Sequence, residues 1–237
     1  MNNKISIILI ILLVASLVTS SIYLYMQYKE DKTQEDIFEE LSNVIVEDDS
    51  KSNEETNNKV DVSKLHEENN DFIGWLQIEN TNISYPVMQT EQERKDYYLK
   101  RNFYKQYSSL GTPYIAEYCN VIKSDNVIIY GHHITNNKMF GELENYKNKN
   151  FYNNHKIINF NTIYGETDYE IIAVFKTIAY TNTGFKYYDF VKAETEQEYN
   201  NFIDKCKKLS LYEIEKTARY GDKLLTLSTC EYSNKNR

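Results

Sequence analysis

The chain has 237 residues, enough for one ordinary domain with appendages. Its net charge of −8, with no Lys/Arg-dense stripe, argues against a nucleic-acid partner and against a polybasic lipid-binding patch, because both need a basic field. Three cysteines, Cys119, Cys206 and Cys230, without a C-x-x-C, argue against a disulfide framework and a zinc site and leave at least one thiol unpaired within the chain.

Residues 1–4 carry Lys4 and the free amino terminus. Ile5 to Met26 is an uncharged run of apolar and small residues, long enough to cross a bilayer, which takes about 20 residues. Positive charge stays preferentially in the cytoplasm, so residues 1–4 are expected inside and the rest of the chain outside. A cleaved signal peptide is the competing reading, but apolar residues resume at Ile22 after the small residues Thr19-Ser20-Ser21. Residues 27–59 read as an extracellular linker. Within it Ile37, Leu41, Val44 and Ile45 recur at helical spacing, and Glu47 to Asn58 is acidic and Asn/Ser-rich, as in a flexible tether.

The folded domain is expected over 60–237. A first helix around Val62 and Leu65 gives way to short β-type runs at Phe72–Ile78 and Ile83–Val87, with Pro86 at a strand edge or bulge. Gly111-Thr-Pro113 marks a turn before Tyr114–Ala116. Val127–Tyr130 is a compact buried strand, and Ile157–Phe160 and Tyr169–Phe175 follow as two more. Between Glu194 and Leu209, Tyr199, Phe202, Ile203, Cys206 and Leu209 form one apolar helical stripe, which makes Cys206 a core thiol. Lys223 to Cys230 is the last strand. Many short strands with few helices suggest a mainly β fold, a barrel with helical insertions.

Chemistry concentrates at two strand ends. A cysteine nucleophile works as the thiolate and needs partial exposure and a basic neighbour. Cys230 ends a strand and is followed by the polar run Glu231 to Asn236, whereas Cys206 lies in a core stripe. His132 follows Tyr130-Gly131 just past the strand Val127–Tyr130 and is the natural base. The pair His132-His133 raises the possibility of a metal, but no further ligand stands at a convincing spacing. No Walker loop or G-x-G-x-x-G indicates a nucleotide, and the chemistry requires no cofactor.

Tyr130-Gly-His-His133, Lys138-Met-Phe-Gly-Glu-Leu143 and Thr226-Leu-Ser-Thr-Cys230, in that order, resemble the sortases, specifically class B. Asn70–Trp75, Ser84–Val87, Tyr97–Tyr104 and Thr181–Tyr187 extend the resemblance over roughly Val60 to the end. It implies a closed sortase-type β-barrel behind an N-terminal membrane helix. The activity it implies is cysteine transpeptidation: cleavage of the C-terminal sorting signal of secreted surface proteins, then transfer to a peptidoglycan amine at the cell wall. His132 and Cys230 match the family's catalytic residues, and Arg237 is the candidate for its essential Arg. Leu99, Thr183, Tyr187, Ser228 and Glu231 would line the sorting-signal groove. Sortases normally continue past this Arg into a further apolar strand, so the resemblance also implies a C-terminally truncated barrel lacking its final strand. That mismatch leaves a second expectation open, a catalytically impaired sortase-like surface protein that only binds peptide. A plain cysteine protease is the third.

Overall fold

A computed structural model describes residues 3–47, 62–135, 137–178 and 183–230. Helix α1 spans Asn3–Glu47 without a break. No Gly or Pro interrupts this stretch, so nothing ends the helix between the apolar run and the amphipathic one. The stripe of Ile37, Leu41 and Val44 is therefore no separate helix. It continues the apolar run, and it docks on the domain: Ile37, Phe38 and Leu41 are buried in the main core. The Phe38 ring lies 5.3 Å from that of Tyr85.

Helix α2 (Ser63–Glu68) buries Leu65 and leads into strand β1 (Phe72–Gln77), which pairs antiparallel with β2 (Ser84–Met88). On its other side β2 meets the short β3 (Tyr114–Ile115) only at Met88. Pro86 thus sits where its missing N–H breaks no ladder, as its chemistry requires. β3 pairs antiparallel with β4 (Asn126–Tyr130). A small hairpin follows, β5 (His133–Ile134) with β6 (Lys138–Met139), then a 3-10 stretch Phe140–Lys147 and helix α3 (Lys149–Asn154). β7 (Ile157–Thr162) pairs with β1 and with β8 (Gly165–Glu170), both antiparallel.

Helix α4 (Glu196–Leu209) starts at Thr195, whose side chain accepts from Glu198 N while the Glu198 carboxylate accepts from Glu194 N. The Thr195 bond satisfies one orphan donor of the first turn, and the Glu198 bond ties down the residue before the cap. Its inner face, with Tyr199, Phe202, Ile203 and Cys206, forms a second apolar cluster. The final described strand, β9 (Leu224–Ser228), runs parallel to β4.

The sheet order is β8-β7-β1-β2-β3-β4-β9, a mixed, nearly closed seven-stranded barrel. One expected strand is displaced: Tyr169–Phe175 is strand only through Glu170. Beyond it the backbone finds irregular partners, Val174 O accepting from Leu211 N and Val174 N donating to Ser210 Oγ. With a single antiparallel bridge, Phe175 with Ser210, in place of a ladder, this apolar, β-prone run does not extend the strand.

Candidate active site

β4 and β9 decide the geometry. Their parallel register joins Asn126 to Leu224 and continues to Tyr130 with Ser228. It holds past both strand ends: Gly131 N donates to Ser228 O at 3.1 Å, and Thr229 Oγ1 donates to Gly131 O at 2.8 Å. Extended two residues past its last pair, Tyr130 with Ser228, the same register would align His132 with Cys230. In-register neighbours of a parallel pair project from the same face of the sheet. Cys230 is exposed and His132 half-buried.

His132 is held from its far nitrogen. Its Nε2 lies 2.7 Å from the carbonyl oxygen of Leu99. A carbonyl only accepts, so Nε2 carries a proton, and in the neutral ring Nδ1 is the basic nitrogen. Gly131 makes the turn possible. A Cβ there would sit 2.6 Å from the ring of Phe140, which is fully buried. This close approach links the Gly of Tyr-Gly-His-His to the Phe of Lys-Met-Phe-Gly. His133, one residue on, engages the Glu144 carboxylate at 3.7 Å and pairs with Met139 in the β5–β6 hairpin.

Leu99 is itself fixed by the 3-10 turn Tyr97–Lys100 and by a buried network around Asp71. Arg94 donates to both Asp71 oxygens, at 3.0 and 2.8 Å, Tyr98 Oη donates at 2.9 Å, and Lys105 lies at 3.2 Å. Burial alone would raise the Asp71 carboxyl, but hydrogen bonds from Arg94, Tyr98 and Lys105 outweigh it and hold the pKa below the ordinary carboxylate value. Nothing local in the sequence marks this network, because its members are spread from Asn69 to Lys105.

Of the groove candidates, Tyr187 and Ser228 meet, their hydroxyls 2.5 Å apart. Thr183 is exposed, on the segment leading into the 3-10 turn Tyr187–Asp189. Leu99 contributes its carbonyl to His132 and packs its side chain, partly buried, on the core. Glu231 and Arg237 lie outside the described residues. Cys119 and Cys206 are buried, and burial pushes their thiols up to about 11 and about 12. Among the described residues no group of three or more His, Cys, Asp or Glu side chains could hold a metal ion.

Comparison with known proteins follows the same lines. Residues 76–237 match the family model "Sortase domain". Sortase B of Staphylococcus aureus (strain NCTC 8325 / PS 47) is 31% identical over 223 residues, covering 93% of this chain and 87% of the relative. The solved Staphylococcus aureus sortase B–substrate complex superimposes with a TM-score of 0.75 at 29% identity, covering 88% of this chain and 93% of that one. A sortase B complexed with triglycine gives 0.72 at 27% identity, with 86% and 89% covered.

Proposed function

The chain belongs to the sortase family, whose members are cysteine transpeptidases, and from that premise we propose that it is a membrane-anchored enzyme acting on sorting signals of exported surface proteins, with Cys230 as nucleophile. One relationship supports this reading: the parallel β4–β9 register, which ends at Tyr130 with Ser228, two residues before His132 and the exposed Cys230. A substrate bound to one solved relative and triglycine bound to another support assigning a peptide groove to this chain.

The Cys230 thiolate attacks the scissile carbonyl of the sorting signal, and a tetrahedral oxyanion forms. The Arg237 guanidinium, always charged, and a backbone N–H near Glu231 stabilise that oxyanion. His132 delivers a proton to the departing amine, leaving a thioester on Cys230. The Leu99 carbonyl keeps Nε2 protonated, so the proton passes through Nδ1. A peptidoglycan-precursor amine then attacks the thioester, His132 takes the amine's proton, and the Cys230 thiolate leaves, restoring the starting pair. Residues 5–26 anchor the enzyme, so substrate and lipid-linked amine meet it at raised effective concentration.

The test is the full chain incubated with a sorting-signal peptide and an amine acceptor. Ligated product that depends on amine is expected, and none from Cys230→Ala. Cleavage with water as sole acceptor at any amine concentration would instead assign a plain protease.

A further inference from the structure

We propose that α1 seats the His132 end of the domain on the lipid headgroup layer, with the loop tip Gln106–Ser109 as the membrane-contacting surface. The proposal rests on reading residues 5–26 as an anchor, and it adds which face of the enzyme meets the bilayer.

The argument is one of height along an unbroken helix. The large apolar side chains from Ile5 to Tyr28 are each more than half exposed, and Ile5–Met26 is about 33 Å long at 1.5 Å per residue, matching a hydrocarbon core of about 30 Å. The domain grips the same helix directly above. Gln27 and Asp31 line a cleft with Ser109, Leu110, Ile134 and Lys138. The Glu30 carboxylate accepts from Ser109 N. Lys138 pairs with Asp31 at 3.4 Å and Glu35 at 2.8 Å, and Gln34, 2% exposed, donates to Gly111 O at 3.2 Å. Glu30 is one turn beyond Met26, so Ser109 stands roughly 6 Å above the hydrocarbon edge, inside a headgroup layer about 5–7 Å thick. An ordinary helix tilt of about 20° shortens the axial rise from Met26 to Glu30 by less than a tenth and shifts the flanking Ser109 by about 3 Å toward or away from the bilayer.

The loop's composition suits that position independently. Residues 97–110 hold Lys100, Arg101 and Lys105 and no carboxylate, in a chain of net charge −8. Gln106 and Tyr107 at the loop tip are exposed, Tyr107 by 67%, while Lys105 is drawn back to Asp71 at 3.2 Å. An exposed Tyr is a side chain that settles at a membrane–water interface.

The experiment uses the full chain in phosphatidylcholine vesicles, in a Cys230→Ala background, with one fluorophore at a time on Tyr107→Cys, Tyr220→Cys or Leu13→Cys. Tyr220 precedes β9, a strand about 16 Å long at about 3.3 Å per residue, and so lies at the far end from Ser228. A headgroup nitroxide lipid is expected to quench position 107 several-fold more strongly than 220, while an acyl-chain nitroxide quenches position 13. Quenching at 13 with 107 no stronger than 220 overturns the seating and leaves the anchor standing. No quenching at 13 overturns the anchor and the seating with it.

Discussion

The carbonyl oxygen of Leu99 lies 2.7 Å from Nε2 of His132, so a backbone group 33 residues upstream orients the imidazole. That carbonyl is itself packed against Gly111. A Cβ on Gly111 would stand 2.4 Å from it, and Gly111 has φ +61°, a conformation an L side chain resists. Gly111→Ala should therefore displace Leu99 and loosen His132. The expected outcome is a fall in kcat with a smaller change in KM for a sorting-signal peptide, accompanied by a lower Tm. Unchanged kcat would remove Leu99 from the account of His132.

Gly131→Ala should be still more damaging, because the added methyl meets the buried Phe140 ring at 2.6 Å at the turn into His132. A backbone shift that misplaces His132 by even about 1.4 kcal/mol in transition-state terms is about tenfold in rate. The double variant Gly131→Ala/Phe140→Leu, which makes room for the methyl, should recover part of the loss. Steady-state kinetics of the parent and the two variants checks this.

Thiol reactivity separates the three cysteines. Cys119 and Cys206, raised to about 11 and about 12 and buried, hold on the order of a thousandth or less of their thiol as thiolate near pH 8. Brief alkylation of the native enzyme followed by peptide mapping should find the label on exposed Cys230, and His132→Ala should slow that labelling. Label appearing first on Cys119 would count against Cys230 as the nucleophile.

Asp71 sets a pH dependence of stability. Its folded pKa is depressed, so its contribution is fully present above the unfolded value of about 3.9 and is lost as pH falls through the folded pKa. Asp71→Asn should cost about 1–3 kcal/mol at pH 7, where Arg94 and Lys105 lose their charged partner. The gap to the parent in urea denaturation should narrow as pH falls below about 4. A gap that widened there would refute the assignment.

Docking of α1 has its own signature. Leu41 is 1% exposed against the main core, so Leu41→Ala should cost about 2–5 kcal/mol, as for other buried leucines. Leu12→Ala, in the apolar half whose side chains touch no core, should leave the denaturation midpoint of the detergent-solubilised chain unchanged.

Much of this was legible in one dimension. The apolar run of Ile5–Met26, the alternating strands, the α4 stripe and the two short motifs ending in His132 and Cys230 are local patterns, and local patterns survive in sequence. The helix boundary was less legible. Residues 27–47 read as linker because their acidity is conspicuous, while the absence of a helix breaker carries α1 through them. Tyr169–Phe175 read as strand throughout because β-propensity is local, whereas strand requires a ladder.

What the amino-acid sequence determined alone is the set of chemical parts: one exposed-type thiol at a strand end, a histidine after a buried strand, an apolar membrane-length segment and the glycines at close approaches. What only the tertiary structure decided is their relation. Cys230 and His132 are far apart in the chain, and the strands that lead into them, β9 and β4, are brought side by side in parallel register from Asn126–Leu224 onward. The carbonyl holding His132, the Asp71 network behind it and the grip of Ser109, Gly111 and Lys138 on α1 are likewise long-range. Hydrogen bonds between residues distant in sequence leave no periodic trace, because their partners are chosen by the closed fold and not by neighbours along the chain.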